Sequence, residues 1–179
     1  MSLKEKYTKE IVPKLKEEFG YKNNLAVPKV TQVNLNVGLG ANMKDSKFID
    51  TVENTLTRIT GQRPVKTLAR KSIATFHIRE GNIVGMKASL HGNRMWDFLE
   101  KLTNVSIARI RDFRGLSPKS FDGEGNFSIG FKEHIIFPEI RSDEIEVLHG
   151  LQVTVSTTAK SNKEGIALLK ALGFPIKDK

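Results

Sequence analysis

Cysteine is absent from the chain, which excludes a disulfide framework, a thiolate nucleophile and a cysteine-built zinc site. Long apolar runs are absent too. No stretch approaches the roughly eighteen consecutive apolar residues that a membrane span needs, and the opening MSLKEKYTKE lacks the apolar core of a secretory signal. The expectation is a soluble, cytoplasmic protein with no membrane partner. The phosphate-cradling GxxxxGK, the metalloprotease HExxH and the hydrolase GxSxG are all missing. Gly38-Leu39-Gly40 follows a strand pattern, but a dinucleotide fingerprint would place its next glycine at 43, where Met43 stands, so this reads as a strand-ending turn. His77, His91, His134 and His149 are scattered without metal-ligand spacing and read as surface or hydrogen-bonded residues. Asp112, Asp122, Glu124 and Glu139 sit among turn residues or arginines, as loop caps and charge partners do. Nothing here supports an enzyme, a cofactor or a metal.

What the chain has in excess is positive charge. Lys and Arg number 29 against 20 Asp and Glu, a formal net charge of +9 over 179 residues, and such a surplus points to a polyanionic partner. It is concentrated from Gln62 to His91, where Arg63, Lys66, Arg70, Lys71, Arg79 and Lys87 face the single acid Glu80. Within this stretch Ala74, Phe76 and Ile78 interleave with Thr75, His77 and Arg79. After Glu80-Gly81-Asn82, Val84, Met86, Ala88 and Leu90 interleave with Gly85, Lys87, Ser89 and His91. Period two is the pattern of half-buried strands, and the intervening turn residues predict a basic hairpin with its tip at 80–82.

The rest of the chain alternates helix and strand patterns. Leu3, Tyr7, Ile11, Leu15 and Phe19 form a helical stripe closed by Gly20, with Pro13 predicting a kink or split near residue 10. Val33, Leu35 and Val37 alternate with Gln32, Asn34 and Asn36 as a strand. Asp45 or Ser46 caps a helix through Phe48, Ile49, Val52, Leu56 and Ile59, which Gly61 and Pro64 end. Asn93 is the expected cap of a helix burying Met95, Trp96, Leu99 and Leu102, followed by a second basic cluster with Arg109, Arg111 and Arg114. Phe127, Ile129 and Phe131 mark a strand; a short helical turn is expected near Asp143 to Leu148; Leu151, Val153 and Val155 mark the last strand. A capping box of Ser161 and Glu164 opens the final helix, which Gly173 and Pro175 stop. The predicted fold class is α+β, a mainly antiparallel sheet with helices on one face and an open polar face, in a single domain over residues 1–179.

The residues turned away from the core along the predicted strands are amides, hydroxyls, histidines and bases, none of them acidic. That suits a surface meeting phosphate, with amides and hydroxyls available for base edges and sugars. The depletion of Asp and Glu from strands in general accounts for part of it. The same faces lack Phe, Tyr and Trp, which argues against a sheet that stacks splayed bases on aromatics.

The runs ITGQRPVKTLARKSIATFHIREGNIVG, MWDFLEKL, RIRDFRGLSPKSFDGEGNFSIG, IIFPEI and LLKALGFP cover the chain nearly end to end. In their order and spacing they resemble the bacterial family of large-subunit ribosomal protein five. The resemblance implies a protein that binds 5S rRNA on a concave open sheet face in the central protuberance, beside 23S rRNA and other 5S-binding ribosomal proteins. It also implies contact with the peptidyl-site tRNA and a bridge to a small-subunit head protein. Asn36, Gln62, Ser89 and His91 match family positions that meet 5S rRNA; with Asn34, Lys66, Arg70 and Lys87 they make up the expected 5S rRNA site. The loop 71–85, with Lys71, Ser72, Thr75, His77, Arg79 and Asn82, matches the segment that reaches the tRNA. The chain departs from the family pattern at Glu80, His91 and Glu124, where basic residues are usual, and a neutral imidazole is a weaker phosphate contact than a lysine or arginine. Two rival readings are a free RNA chaperone or regulator using the same basic face and an RNA-modifying enzyme built on Gly38 and Gly40.

Overall fold

The computed structural model describes residues 2–111, 113–141 and 147–177. The first stripe forms helix α1 (Leu3–Lys6), capped by Ser2 in a reciprocal box with Glu5, and helix α2 (Val12–Phe19), ended by Gly20 in the left-handed conformation at φ 70°. Between them Tyr7–Ile11 is a π-helical turn, where the Val12 N–H reaches back to the Tyr7 carbonyl. Pro13 has no N–H to donate and its ring crowds the preceding turn, so the wider turn just before it supplies the expected interruption.

Strand β1 (Val30–Gly38) leads to helix α3 (Ser46–Thr60), whose N-cap Asp45 accepts from the Lys47 amide and whose end Gly61 turns at φ 69°. Strands β2 (Val65–Leu68) and β3 (Ile83–Leu90) follow, then helix α4 (Gly92–Lys101), strand β4 (Phe127–Phe131), strand β5 (Leu151–Thr157) and helix α5 (Asn162–Ala171). The five strands make one antiparallel sheet in the order β2-β3-β1-β5-β4, and the class is α+β.

By compactness the chain divides into two units, Met1–Val33 with Leu90–Ile129 and Thr154–Lys179, and Asn34–Ser89 with Gly130–Val153. In the first unit Tyr7 of the π-helical turn packs against Trp96 of α4, ring centroids 5.3 Å apart, and the Leu3 amide of α1 donates to the Glu100 carboxylate of α4. The residues of FDGEGN act as structural links there. Asp122 accepts from the Glu124 and Asn126 amides, Asn162 Oδ1 accepts from the Gly123 and Gly125 amides, and Asn126 Oδ1 accepts from the Thr157 amide. In the second unit α3 buries Phe48, Val52, Leu56 and Ile59, and Leu35, Val37, Met86, Phe137 and Val153 are buried in the same unit.

Four expectations are corrected. Residues 74–79 do not form a strand. Ala74–Phe76 is a 3-10 turn, His77 is left-handed at φ 53°, and Phe76 is 65% exposed. Alternation makes a strand only where an edge is free to pair, and the edge of β3 is occupied by Val65–Leu68 instead. Ile83 to Gly85, counted with the loop, belong to β3. His91, not Asn93, takes the N-cap position of α4; Asn93 accepts from the Lys4 ammonium. The Ser161 box is half formed: Ser161 Oγ accepts from the Glu164 amide, but Glu164 Oε2 accepts from the Lys160 amide. The expected turn at 143–148 lies largely outside the described residues.

Candidate nucleic-acid interface

The candidate site is built from β1, β2, β3 and the loops of the second unit. Along β3, Met86, Ala88 and Leu90 are buried, so Lys87 and Ser89 stand on the opposite face. Along β1 the burial of Leu35 and Val37 turns Asn34 and Asn36 the same way out of the core. Asn36 is exposed, Asn34 half-buried, and neither side-chain amide bonds to a described residue. Both therefore have donors and acceptors to offer a ligand.

Gln62 comes to this face from the end of α3. Its Nε2 donates to the Ser89 carbonyl at 2.9 Å, which holds the side chain in place and leaves Oε1 as an acceptor. Thr60 Oγ1 donates to the Leu56 and Gln62 carbonyls and fixes the turn behind it. His91 follows the last residue of β3 and is exposed.

Lys66 stands apart from this group. It pairs with Met86 across the two strands, and directly opposed residues share a face, so Lys66 lies on the core side while Val65 pairs with the exposed Lys87. There its Nζ meets Glu53 Oε2 of α3 at 2.9 Å, and Arg63 Nε meets Glu53 Oε1 at 2.7 Å. Lys66, then Arg63, hold the Glu53 carboxyl below its ordinary range. Lys87, Arg70, Lys71 and Arg79 make no ion pair among the described residues.

A register shift after Thr67, which sends Leu68 to Ile83, opens β2 and β3 into the loop 69–82. The Ala69 amide bonds to the Asn82 carbonyl and the Gly81 amide to the Ala69 carbonyl, closing the neck; Ile73 and Ile78 exchange both backbone hydrogen bonds farther out. Ser72 Oγ accepts from the Glu80 amide. The tip is thus 74–77, and the turn at 80–82 belongs to the neck. Lys71, Ser72, Thr75, His77 and Arg79 are all exposed on this arm, and Asn82 is half-buried at its neck.

Two groupings have no signal in the sequence. Lys44, just before α3, lies beside the arm. His134 and His149, fifteen residues apart, stack with ring centroids 4.0 Å apart and 10° between planes. Both are buried, and burial pushes both pKa values down, that of His149 to about 4.

Residues 23–79 match the family model of ribosomal protein L5, and residues 83–176 match the model of the C-terminus of the same ribosomal family. The chain belongs to the ribosomal protein L5 family. It is 52% identical over 173 residues to large ribosomal subunit protein uL5 of Colwellia psychrerythraea, covering 97% of this chain and 96% of that one. Identity to the uL5 proteins of Halothermothrix orenii and Desulforapulum autotrophicum is 53%, over 97% and 99% of each chain. As a member of the L5 family the protein is a structural constituent of the large subunit of the cytoplasmic ribosome, not an enzyme. Gly38 ends β1, Gly40 opens a short 3-10 turn, and α3 starts at Ser46.

Proposed function

We propose that the polar face carrying Asn34, Asn36, Gln62, Lys87 and Ser89 binds 5S rRNA and helps attach it in the central protuberance, with 23S rRNA and other 5S-binding proteins as neighbours. Arg70 extends that surface, and His91, just past the end of β3, is a further contact. The arm 69–82 contacts peptidyl-site tRNA through Lys71, Ser72, Thr75, His77, Arg79 and Asn82, and a surface of the same protein bridges to a small-subunit head protein. The observation that carries the 5S reading is the pairing of hydrogen-bonding amides and a free lysine on a face without acids, beside a glutamine already held by Ser89. Lysines and arginines supply affinity by displacing counterions, while Asn36 and Gln62 choose the RNA.

The test is filter binding of 5S RNA and an unrelated hairpin. Asn36→Ala should lose about 1 to 3 kcal/mol with 5S RNA and little with the hairpin, whereas Lys71→Ala should weaken both alike. Equal losses from Asn36→Ala on the two RNAs refute specific readout there. A complex with large subunits that washes off in high salt favours a free regulator instead.

A further inference from the structure

Resting on the RNA-binding reading, we propose that the recess between the arm and the start of α3 takes in one unpaired nucleotide of a structured RNA. Its walls are Lys44, Ser72, Ala74, His77, Ile78, Arg79 and Asn82, and it is a half-open hollow of about 740 Å³, within the roughly 300–1,000 Å³ typical of small-ligand sites. The composition is that of a nucleotide's own division. Ala74 and Ile78 offer apolar surface to a base, Asn82 offers an amide that bonds to no described side chain, and Lys44 and Arg79 offer cations to a phosphate. Among the described residues no acid lines the recess. Neither cation has an acidic partner among the described residues, so neither charge is already spent.

Two further features mark the tip of the arm beside the recess. His77 is the one non-glycine with positive φ among the described residues. Its N–H donates to the Ala74 carbonyl and closes the turn at the tip, which sets the His77 ring at the wall of the recess. Next to it Phe76 is the one aromatic among the exposed large hydrophobic side chains of the described residues. That solvent-facing phenyl ring stands outside the walls of the recess and offers a flat apolar face to a partner at the tip of the arm, as a nucleobase requires. Lys44 distinguishes this from a loop that merely tracks phosphates, because it comes from the connection before α3 and lines the recess from outside the arm.

The experiment uses the full chain and three RNA hairpins, one fully paired, one with a single bulged 2-aminopurine and one with an abasic bulge. The wild type should bind the 2-aminopurine hairpin about five- to tenfold more tightly than the abasic one, with a several-fold change in 2-aminopurine fluorescence on binding. Lys44→Ala, an exposed position outside any strand or helix, should reduce that preference at least threefold while lowering affinity for the paired hairpin less. Equal binding of the bulged and abasic hairpins without a fluorescence change overturns the proposal, and so does Lys44→Ala weakening all three by one factor. Binding to the paired hairpin separates the two levels. If it persists, only the recess fails; if no hairpin binds, the RNA-binding reading fails with it.

Discussion

The stacked pair His134 and His149 makes stability fall on mild acidification, and His149→Phe tests this directly. His149 is 6% exposed, its Nε2 is buried without a hydrogen-bond partner among the described residues, and Phe48 meets its ring edge-on at 6.3 Å. Burial first, and then the neighbouring His134 ring, lower its pKa from 6.5 to about 4. Above pH 6.5 neither the folded nor the unfolded state binds this proton, so the group contributes no pH dependence. Between 6.5 and 4 the unfolded chain takes the proton and the folded one does not, so stability is lost as pH falls, levelling off below the folded pKa. At pH 5 the gap spans about 1.5 pH units, which at about 1.4 kcal/mol per unit is an upper figure near 2 kcal/mol and, allowing for partial solvation, about 1 to 2. His134, lowered by burial, adds in the same direction. Glu53 and Asp122, whose pKa values are lowered, lose their contributions only as pH falls below the ordinary carboxylate values of 4.5 and 3.8.

The window from about pH 7 to pH 5 therefore isolates the imidazoles. His149→Phe keeps an aromatic face for His134 but removes the titration, and loses the Nδ1 contact to the Gly150 carbonyl, about 1 kcal/mol at pH 7. Urea unfolding followed by circular dichroism should show the wild type losing about 1 to 2 kcal/mol more than the variant between the two pH values. The His149 ring proton signal in NMR should stay unshifted down to about pH 5. Equal losses in the two proteins, or a His149 titration midpoint near 6.5, would refute the reasoning.

Two other outcomes follow from contacts already described. Gly165→Ala would normally favour α5 by about 1 kcal/mol, but a Cβ there would lie 2.6 and 2.7 Å from the Gly125 carbonyl oxygen and Cα. Overpacking against backbone costs about 1 to 3 kcal/mol, so thermal or urea unfolding should show a net loss; a more stable variant would mean the Gly125 loop gives way freely. Lys66→Ala should weaken 5S RNA binding less than Lys87→Ala, because Lys66 is engaged by Glu53 on the core side of β2; the reverse ranking in filter binding would place Lys66 on the RNA.

Most of the fold was legible where a residue pattern had one physical solution. The alternation Val33, Leu35, Val37 and the helical stripe through Phe48, Val52, Leu56 and Ile59 each had a core to face, and Gly20 and Gly61 mark helix ends because their positive φ is cheap only for glycine. The stretch 74–79 shows the limit. Its period two was real, but a strand also needs an edge, and β3 was already paired by the short run Val65–Leu68, which carries little pattern of its own. Register then decided what composition could not. A cross-strand partner, Met86, puts Lys66 on the helix side, and no count of charge along the chain reveals that. The recess wall Lys44 and the stack of His134 on His149 were illegible for the same reason, since each joins segments whose separation in sequence bears no periodic relation.

The charge that marked Gln62 to His91 is accordingly sorted by the fold into two kinds. Six cations stand in that stretch, and two of them, Arg63 and Lys66, share the Glu53 carboxylate. Taken out of the counterion exchange, they leave Arg70, Lys71, Arg79 and Lys87, to which the structure adds Lys44 at the recess. With about −0.7 to −0.9 in the log-log salt slope per phosphate contact, five such cations give a slope near −3.5 to −4.5, shallower than the stretch and Lys44 would give if all seven reached phosphate. The division also has a chemical sense. The paired cations lock the edge strand β2 to α3 at the base of the arm, while those that remain are spread over the polar face, the arm and the recess. Charge spent on holding the arm's root in place makes the free charges at its outer part more useful, because a phosphate contact discriminates between RNA shapes only when the cation offering it is held in position.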